Sequence, residues 1–425
     1  MHGHLLAVVA ALMLLLAAPV GAADDIEKLD SAKVPRVKAP EKIAGDQKPL
    51  RVRVLVLEFN PLIPGALYAP DQPDAKPKGL REVAGWNDPL PLAAGYMQDL
   101  CDASGGLVQL EIAEWLVVRR FQKKVDGFVY TPETYMASLK QGTRKAEAWR
   151  KPDGIDYPHM INEFNLIPRV ESGEIDEVWM MGLPYFGYWE SAMAGKDAFY
   201  VNGGVYDKVP CKRRFVIMGF NAERGVAEML EDQCHRSEST LSRIHGGWKV
   251  DQLTTNWARF AANEHQSGTA AVGTAHYPPN GERDYDYANE RTVESTADDW
   301  LHYPNLTGRK RTFNREEWAG PHKNRAGQPD YHRNYLRWWF SHLPKAPGVS
   351  GKPESDAAAA SEKAPDAKTD AGTVAQTAPI PDGRLKNWWE YLYNFNAYDK
   401  HGQPLPGARP PQDPQAAKDG YRRPA

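Results

Sequence analysis

Residues 214–244, RFVIMGFNAERGVAEMLEDQCHRSESTLSRI, decide the fold. Their first third is an apolar, β-branched run that stops at Phe220-Asn221 and reads as a strand. The rest switches to helical spacing over about 222–244. Val226, Met229, Leu230, Leu241 and Ile244 form one apolar face. Arg224, Glu228, Glu231, His235, Glu238 and Ser242, spaced four, three, four, three and four residues apart, share another stripe.

Working outward, the same strand-then-helix alternation recurs upstream. A β-branched run at 51–58 ends in Phe59-Asn60-Pro61, and 65–91 reads as a long ordered loop. A helix carrying Tyr96, Met97, Leu100 and Cys101 stops at Gly105-Gly106 and feeds a strand over 107–118. Helical patterns at 132–150 and 157–171 precede a third strand at 177–181. The expected class is α/β, a mostly parallel sheet with flanking helices and long loops over the strand carboxyl ends. Ligands in such sheets sit beyond those ends, which directs attention to 58–60, 183–190 and 220–224. Further helices are expected at 252–264 and 331–343, with loops over 268–296.

The chain has 425 residues, 42% hydrophobic and 25% charged, enough to bury a full core, and a formal charge of -3 that offers no basic excess for nucleic acid. An apolar run at 5–23 leads through small residues into Asp24-Asp25, the pattern of a secretory signal peptide over 1–23. Export to the periplasm or the extracellular space follows, with no stable membrane insertion after processing. Residues 24–49 read as a flexible lead-in, 50–343 as the main α/β domain, and 344–383, which lacks any aromatic residue, as a disordered linker or insertion. The aromatic segment 384–398 is expected to pack on the main domain, and 399–425 to form a loose tail. Three cysteines exclude a disulfide scaffold. Cys211 and Cys234 come within bridging reach if the helix after the fourth strand returns antiparallel to it.

Three stretches can carry chemistry. The first is the helical stripe, where acids cluster around His235, a pattern suited to proton transfer or to a metal, and equally to an ordinary solvated face. It is not a His-Glu-x-x-His motif, so it assigns no metal ligand set and leaves the cofactor unknown. The second is the loop His276-Tyr277-Pro278-Pro279-Asn280, running on to Asp284-Tyr285-Asp286-Tyr287, where prolines pin polar groups around a possible ligand. The third is 182–191, where Tyr185 and Trp189 stand beside Glu190 past a strand end.

The segments MGLPYFGYWES, GFNAERGVAEMLEDQCHRSES and AVGTAHYPPNGERDYDYAN, with the ending LKNWWEYL, resemble those of a family of secreted bacterial proteins without an established reaction. The resemblance spans about 50–398 and brings no catalytic residue with it.

The leading expectation is an exported hydrolase of a polar polymer, most readily a glycan. Thirteen Trp and nineteen Tyr would supply stacking surface. Glu228 and Glu231 would transfer protons, with His235 and Glu238 as orienters. His276 would close over the stripe, and Arg224, Tyr185, Trp189, Glu190, Asn280, Asp284 and Asp286 would contact substrate. The alternatives are a metal-dependent hydrolase such as a peptidase, with His235 and His276 as ligands and Glu231 as base, and a non-catalytic glycan-binding or envelope-interaction protein.

Overall fold

The structure is a computed structural model that describes residues 25–43, 47–350 and 382–406. The expected signal peptide, most of the expected linker and the end of the expected tail lie outside the described residues.

Seven strands make the main sheet: β1 (Ile26–Lys28), β2 (Leu50–Phe59), β3 (Val108–Val118), β4 (Glu177–Gly182), β5 (Ser191–Ala194), β6 (Val205–Tyr206) and β7 (Phe215–Asn221). They lie in the order β1-β3-β2-β4-β7-β5-β6. The inner four, β3, β2, β4 and β7, pair in parallel. β1 runs antiparallel to β3 and β5 antiparallel to β7, so the sheet is mixed. The short β5 and β6 went unread in the sequence because four- and two-residue runs carry too few alternations to register.

Helices cover both faces, as the two-sided burial of the inner strands requires. On one face lie α1 (Pro89–Ala103), α5 (Val226–Ile244), α6 (Tyr331–Ser341) and α7 (Trp389–Tyr393), packed on Val52, Val54, Val56, Trp179, Val216 and Met218. On the other lie α2 (Pro132–Gln141), α3 (Tyr157–Glu163) and α4 (Leu166–Glu171), packed on Leu55, Leu57, Phe59, Val178, Met180 and Ile217. Alternate residues of one strand thus feed two cores. Cys234 belongs to the first core and Cys211 to the second, so the sheet stands between them, and all three cysteines are free. The expected bridging reach fails because α5 lies over one face while the chain at Cys211 packs against the other.

Several expected boundaries shift. The lead-in is not loose throughout, since Ile26–Lys28 adds an edge strand to β3. The described ends of the linker are ordered too: β8 (Lys345–Val349) pairs with β9 (Leu385–Asn387), and Ser350 Oγ donates to Asp382 Oδ1 at 2.6 Å. The described start of the tail is hydrogen-bonded to the aromatic segment, with Leu405 N donating to Ala397 O at 2.9 Å, while 403–406 are exposed. The aromatic segment packs as expected, with Trp388 and Trp389 both fully buried. Arg214 fastens it through the carbonyls of Phe395 and Tyr398. The helix expected at 252–264 shortens to Asn256–Phe260.

One buried acid in this segment gives the fold a pH dependence. Burial pushes Glu390 up to about 7 from an ordinary 4.5, against a hydrogen bond from Asn394. The fold therefore favours the protonated acid. That stability is complete below pH 4.5 and is lost as the pH rises through about 7. Glu390→Gln should gain about 1–3 kcal/mol over the parent at about pH 8 and nothing near pH 4.5, read from urea midpoints.

Candidate metal centre and adjoining cleft

α5 begins where β7 ends, and Glu228 accepts a hydrogen bond from the Gly225 amide at 2.9 Å across its first turn. The polar stripe of α5 then divides. Arg224 and Glu228 face a cleft at the carboxyl ends of β4 and β7, while Glu231, His235 and Glu238 lie under the loop that carries His276.

Glu231 is the centre of that second group. Its Oε1 lies 2.9 Å from His276 Nε2, accepts from the Tyr285 hydroxyl at 2.8 Å, and stands 3.7 Å from His235 Nε2. Its Oε2 is 3.1 Å from His332 Nε2, delivered by α6. The Nε2 atoms of His235 and His276 are 3.0 Å apart. Each ring presents its other nitrogen to a carboxylate: His235 Nδ1 to Glu238 Oε2 at 3.0 Å, and His276 Nδ1 to Asp284 Oδ1 at 2.9 Å. Glu238 is itself fixed by the Ala275 amide at 2.8 Å, which ties α5 to the His276 loop.

This geometry has an electrostatic consequence. Neutral imidazoles that direct Nδ1–H at carboxylates turn the lone pairs of both Nε2 atoms toward each other and toward Glu231 Oε1. Three converging lone pairs require a cation between them, either a proton or a metal ion. Without a metal the protons stay: burial opposes it, but Glu231 and Glu238 raise His235 to about 10, and Glu231 raises His276 against the same penalty. Burial alone would raise Glu231, yet His235, His276 and His332 hold it far below the carboxylate range.

The triangle fits a divalent ion. Glu231, His235 and His276 offer one ligand atom each within 4.8 Å of one another. Ligands about 2.0–2.1 Å from a tetrahedral zinc stand about 3.3 Å apart, within the observed spread of 2.9, 3.0 and 3.7 Å.

The adjoining cleft, about 230 Å³, is lined by Tyr185, Tyr188, Glu190, Arg224, Glu228 and Asp232 among others. Burial raises the Asp232 carboxyl well above its ordinary range, and the charges of Glu190 and Glu231 add to the shift. Glu190 also raises the proton affinity of His235 and Tyr285, so cleft and cluster share one field.

The expected site residues therefore separate. Glu231, His235, Glu238, His276 and Asp284 come together. Glu190, Arg224, Glu228 and Tyr185 line the cleft, with Tyr185 stacked on Trp149 at 4.3 Å. Trp189 is half exposed beside Glu190. Asn280 and Asp286 are instead buried braces. The Asn280 side chain donates to the carbonyls of Asn289 and Arg291, and Asp286 accepts from the Glu282 amide and from Asn289. The expected pairing of Glu228 with Glu231 for proton transfer is not formed, because Glu228 caps the helix and Glu231 faces imidazoles. Nor is tryptophan mainly a stacking surface, since nine of the thirteen are buried in the cores. Asp232 and His332 were missed, and Tyr285, though part of the candidate loop, was given no role. Asp232 is one residue off the stripe, and His332 lies about a hundred residues away with no local signal. Tyr285 reaches Glu231 from a left-handed backbone, φ 59°, that a sequence does not announce.

Comparison of the chain with protein-family models, curated proteins and solved structures returns no match. Its chemistry is read from its own geometry.

Because Asn280 braces the loop, Asn280→Ala leaves two half-buried carbonyls without their donor and should cost about 1–3 kcal/mol in urea unfolding. A pure ligand contact would leave stability unchanged.

Proposed function

We infer that this chain is an exported metal-dependent hydrolase whose ion is held by Glu231, His235 and His276. The observation that carries the reading is the convergence of two imidazole Nε2 atoms and a carboxylate oxygen, with each imidazole backed by its own carboxylate. Three protein ligands leave a fourth position for water, the arrangement of hydrolytic rather than structural zinc sites. When bound, the ion would supply an acidified water as nucleophile.

The residues then divide the work. Glu238 and Asp284 fix the ring orientations of His235 and His276, while Tyr285 and His332 hold Glu231 in place. The two-carboxylate glycosidase reading is less well supported. A glycosidic acid needs a raised affinity for its proton, and Glu231 has the opposite. Support for export comes from the apolar run at 5–23 and the resemblance to secreted proteins. Support for a polar polymer as partner comes from an open polar cleft at the strand carboxyl ends, where loops gather over a sheet whose inner strands are parallel.

Zinc titration of the purified protein by calorimetry is the test. One ion per chain should bind, His235→Ala and His276→Ala should abolish tight binding, and Glu238→Ala should weaken it about 10–100-fold. Equal affinity in the parent and in both histidine variants would overturn the assignment.

A further inference from the structure

The metal centre and its cleft together narrow the substrate. Building on the metal-dependent reading, we propose that this site removes acyl groups from a glycan, hydrolysing an ester or amide substituent and leaving the sugar chain intact.

The bond type follows from the centre. A metal-activated water attacks a carbonyl or phosphoryl group, whereas an acetal opens through an oxocarbenium-like state that needs a proton on the leaving oxygen. A phosphoryl substrate is disfavoured by the cleft, where the carboxylates of Glu190 and Glu228 outnumber the Arg224 cation and meet any phosphate with like charge. A carbonyl compound remains. Water adds to the acyl carbon, the bond from that carbon to the sugar oxygen or nitrogen breaks, and the leaving atom takes a proton from the water. The products are a carboxylic acid and a free hydroxyl or amine, with no oxidant or second substrate required.

The carrier of the acyl group follows from the cleft. An extended peptide is usually read through its backbone by a free strand edge. The strands that end here, β4 and β7, are interior and paired on both sides. The cleft offers side chains instead. Glu190 lines the cleft, and its carboxylate is held by the side-chain amide of Asn202, whose oxygen accepts from the Tyr200 hydroxyl at 3.4 Å; Trp189, the neighbour of Glu190, and Tyr200 are 50% and 55% exposed beside the cleft. The Tyr188 hydroxyl lines the same cleft, buried and without a hydrogen-bond partner among the described residues. Exposed aromatic faces beside carboxylate and amide groups match the apolar faces and hydroxyl edges of a sugar. Glu228 and Asp232 line the cleft from α5, one turn before and one residue after Glu231, so a chain bound there passes beside the ion.

The test incubates the zinc-loaded full chain with two probes, an N-acetylated chitooligosaccharide and an O-acetylated xylo-oligosaccharide, and follows acetate release with chain length by mass spectrometry. Loss of acetyl groups at constant chain length, from either probe, is the expected result, and the responding probe tells amide from ester. Trp189→Ala should raise KM about fivefold to tenfold with kcat changed less than about twofold, and Trp189→Tyr should recover most of the loss. Shortened chains without acetate, or no acetate from either probe while zinc binds as expected, would overturn the glycan-deacylation proposal and leave the metal assignment standing. Failure to bind zinc would overturn both.

Discussion

The buried ion pair between Arg236 on α5 and Glu177 on β4, 2.8 Å long with both side chains 1% exposed, fixes the arrangement on which the site depends. Arg236 also donates to the carbonyl of Leu392 and to Gln233, whose side chain accepts from Tyr96 on α1. One guanidinium thus joins the sheet, two helices and the C-terminal segment. Such a pair adds little net stability over an apolar substitute, but breaking it leaves a buried charge alone, so it tolerates only one docking of the helix. With Arg236 against the sheet, His235 is turned about 100° away, toward the loop that supplies His276.

The second layer of constraint comes from the elements that cover α5. Its polar stripe looks like a solvated face, yet Glu231 and Glu238 are buried because the His276 loop and α6 close over them. Burying two carboxylates is tolerable only if donors arrive with the cover, and they do: His276, Tyr285, His332 and the Ala275 amide. The loop is held in turn by Asn280 and Asp286, and α6 by Arg333 and Arg337 on the buried Asp99 of α1. The cluster is therefore assembled by tertiary docking of three separate chain segments.

The cleft arises from a different feature. The cleft opens where β4 and β7 end side by side, and the chain leaving β4 turns through Tyr185, at φ 61°, before reaching Glu190. Close packing explains the glycines at 182 and 219: a side chain at 182 would meet the Tyr188 ring at 2.3 Å, and one at 219 would meet the Trp189 carbonyl oxygen at 2.4 Å and Tyr188 Cβ at 2.5 Å. The candidate metal ligands sit on a rigid helix and a pinned loop, while of the cleft's carboxyl groups Glu228 and Asp232 stand on that same helix and Glu190 past the end of β4. Cluster and cleft are thus neighbours along α5.

The sequence by itself determined the α/β class, the inner strands, α1, α5 and α6, and the burial of the aromatic C-terminal segment, because periodicity and composition are local properties that survive any docking. It also marked Glu231, His235 and Glu238, since acids and imidazoles at three- and four-residue spacing must share a helix face wherever that helix packs, and His276 through the prolines that pin its loop. Only the tertiary structure decided which acids meet imidazoles and which cap a helix, why Cys211 and Cys234 are separated by a sheet, and that most tryptophans fill cores. It alone brought His332 to Glu231 across a hundred residues. Those outcomes depend on how helices rotate and loops close, which is set by burial and charge pairing among distant segments, and no window of sequence records that.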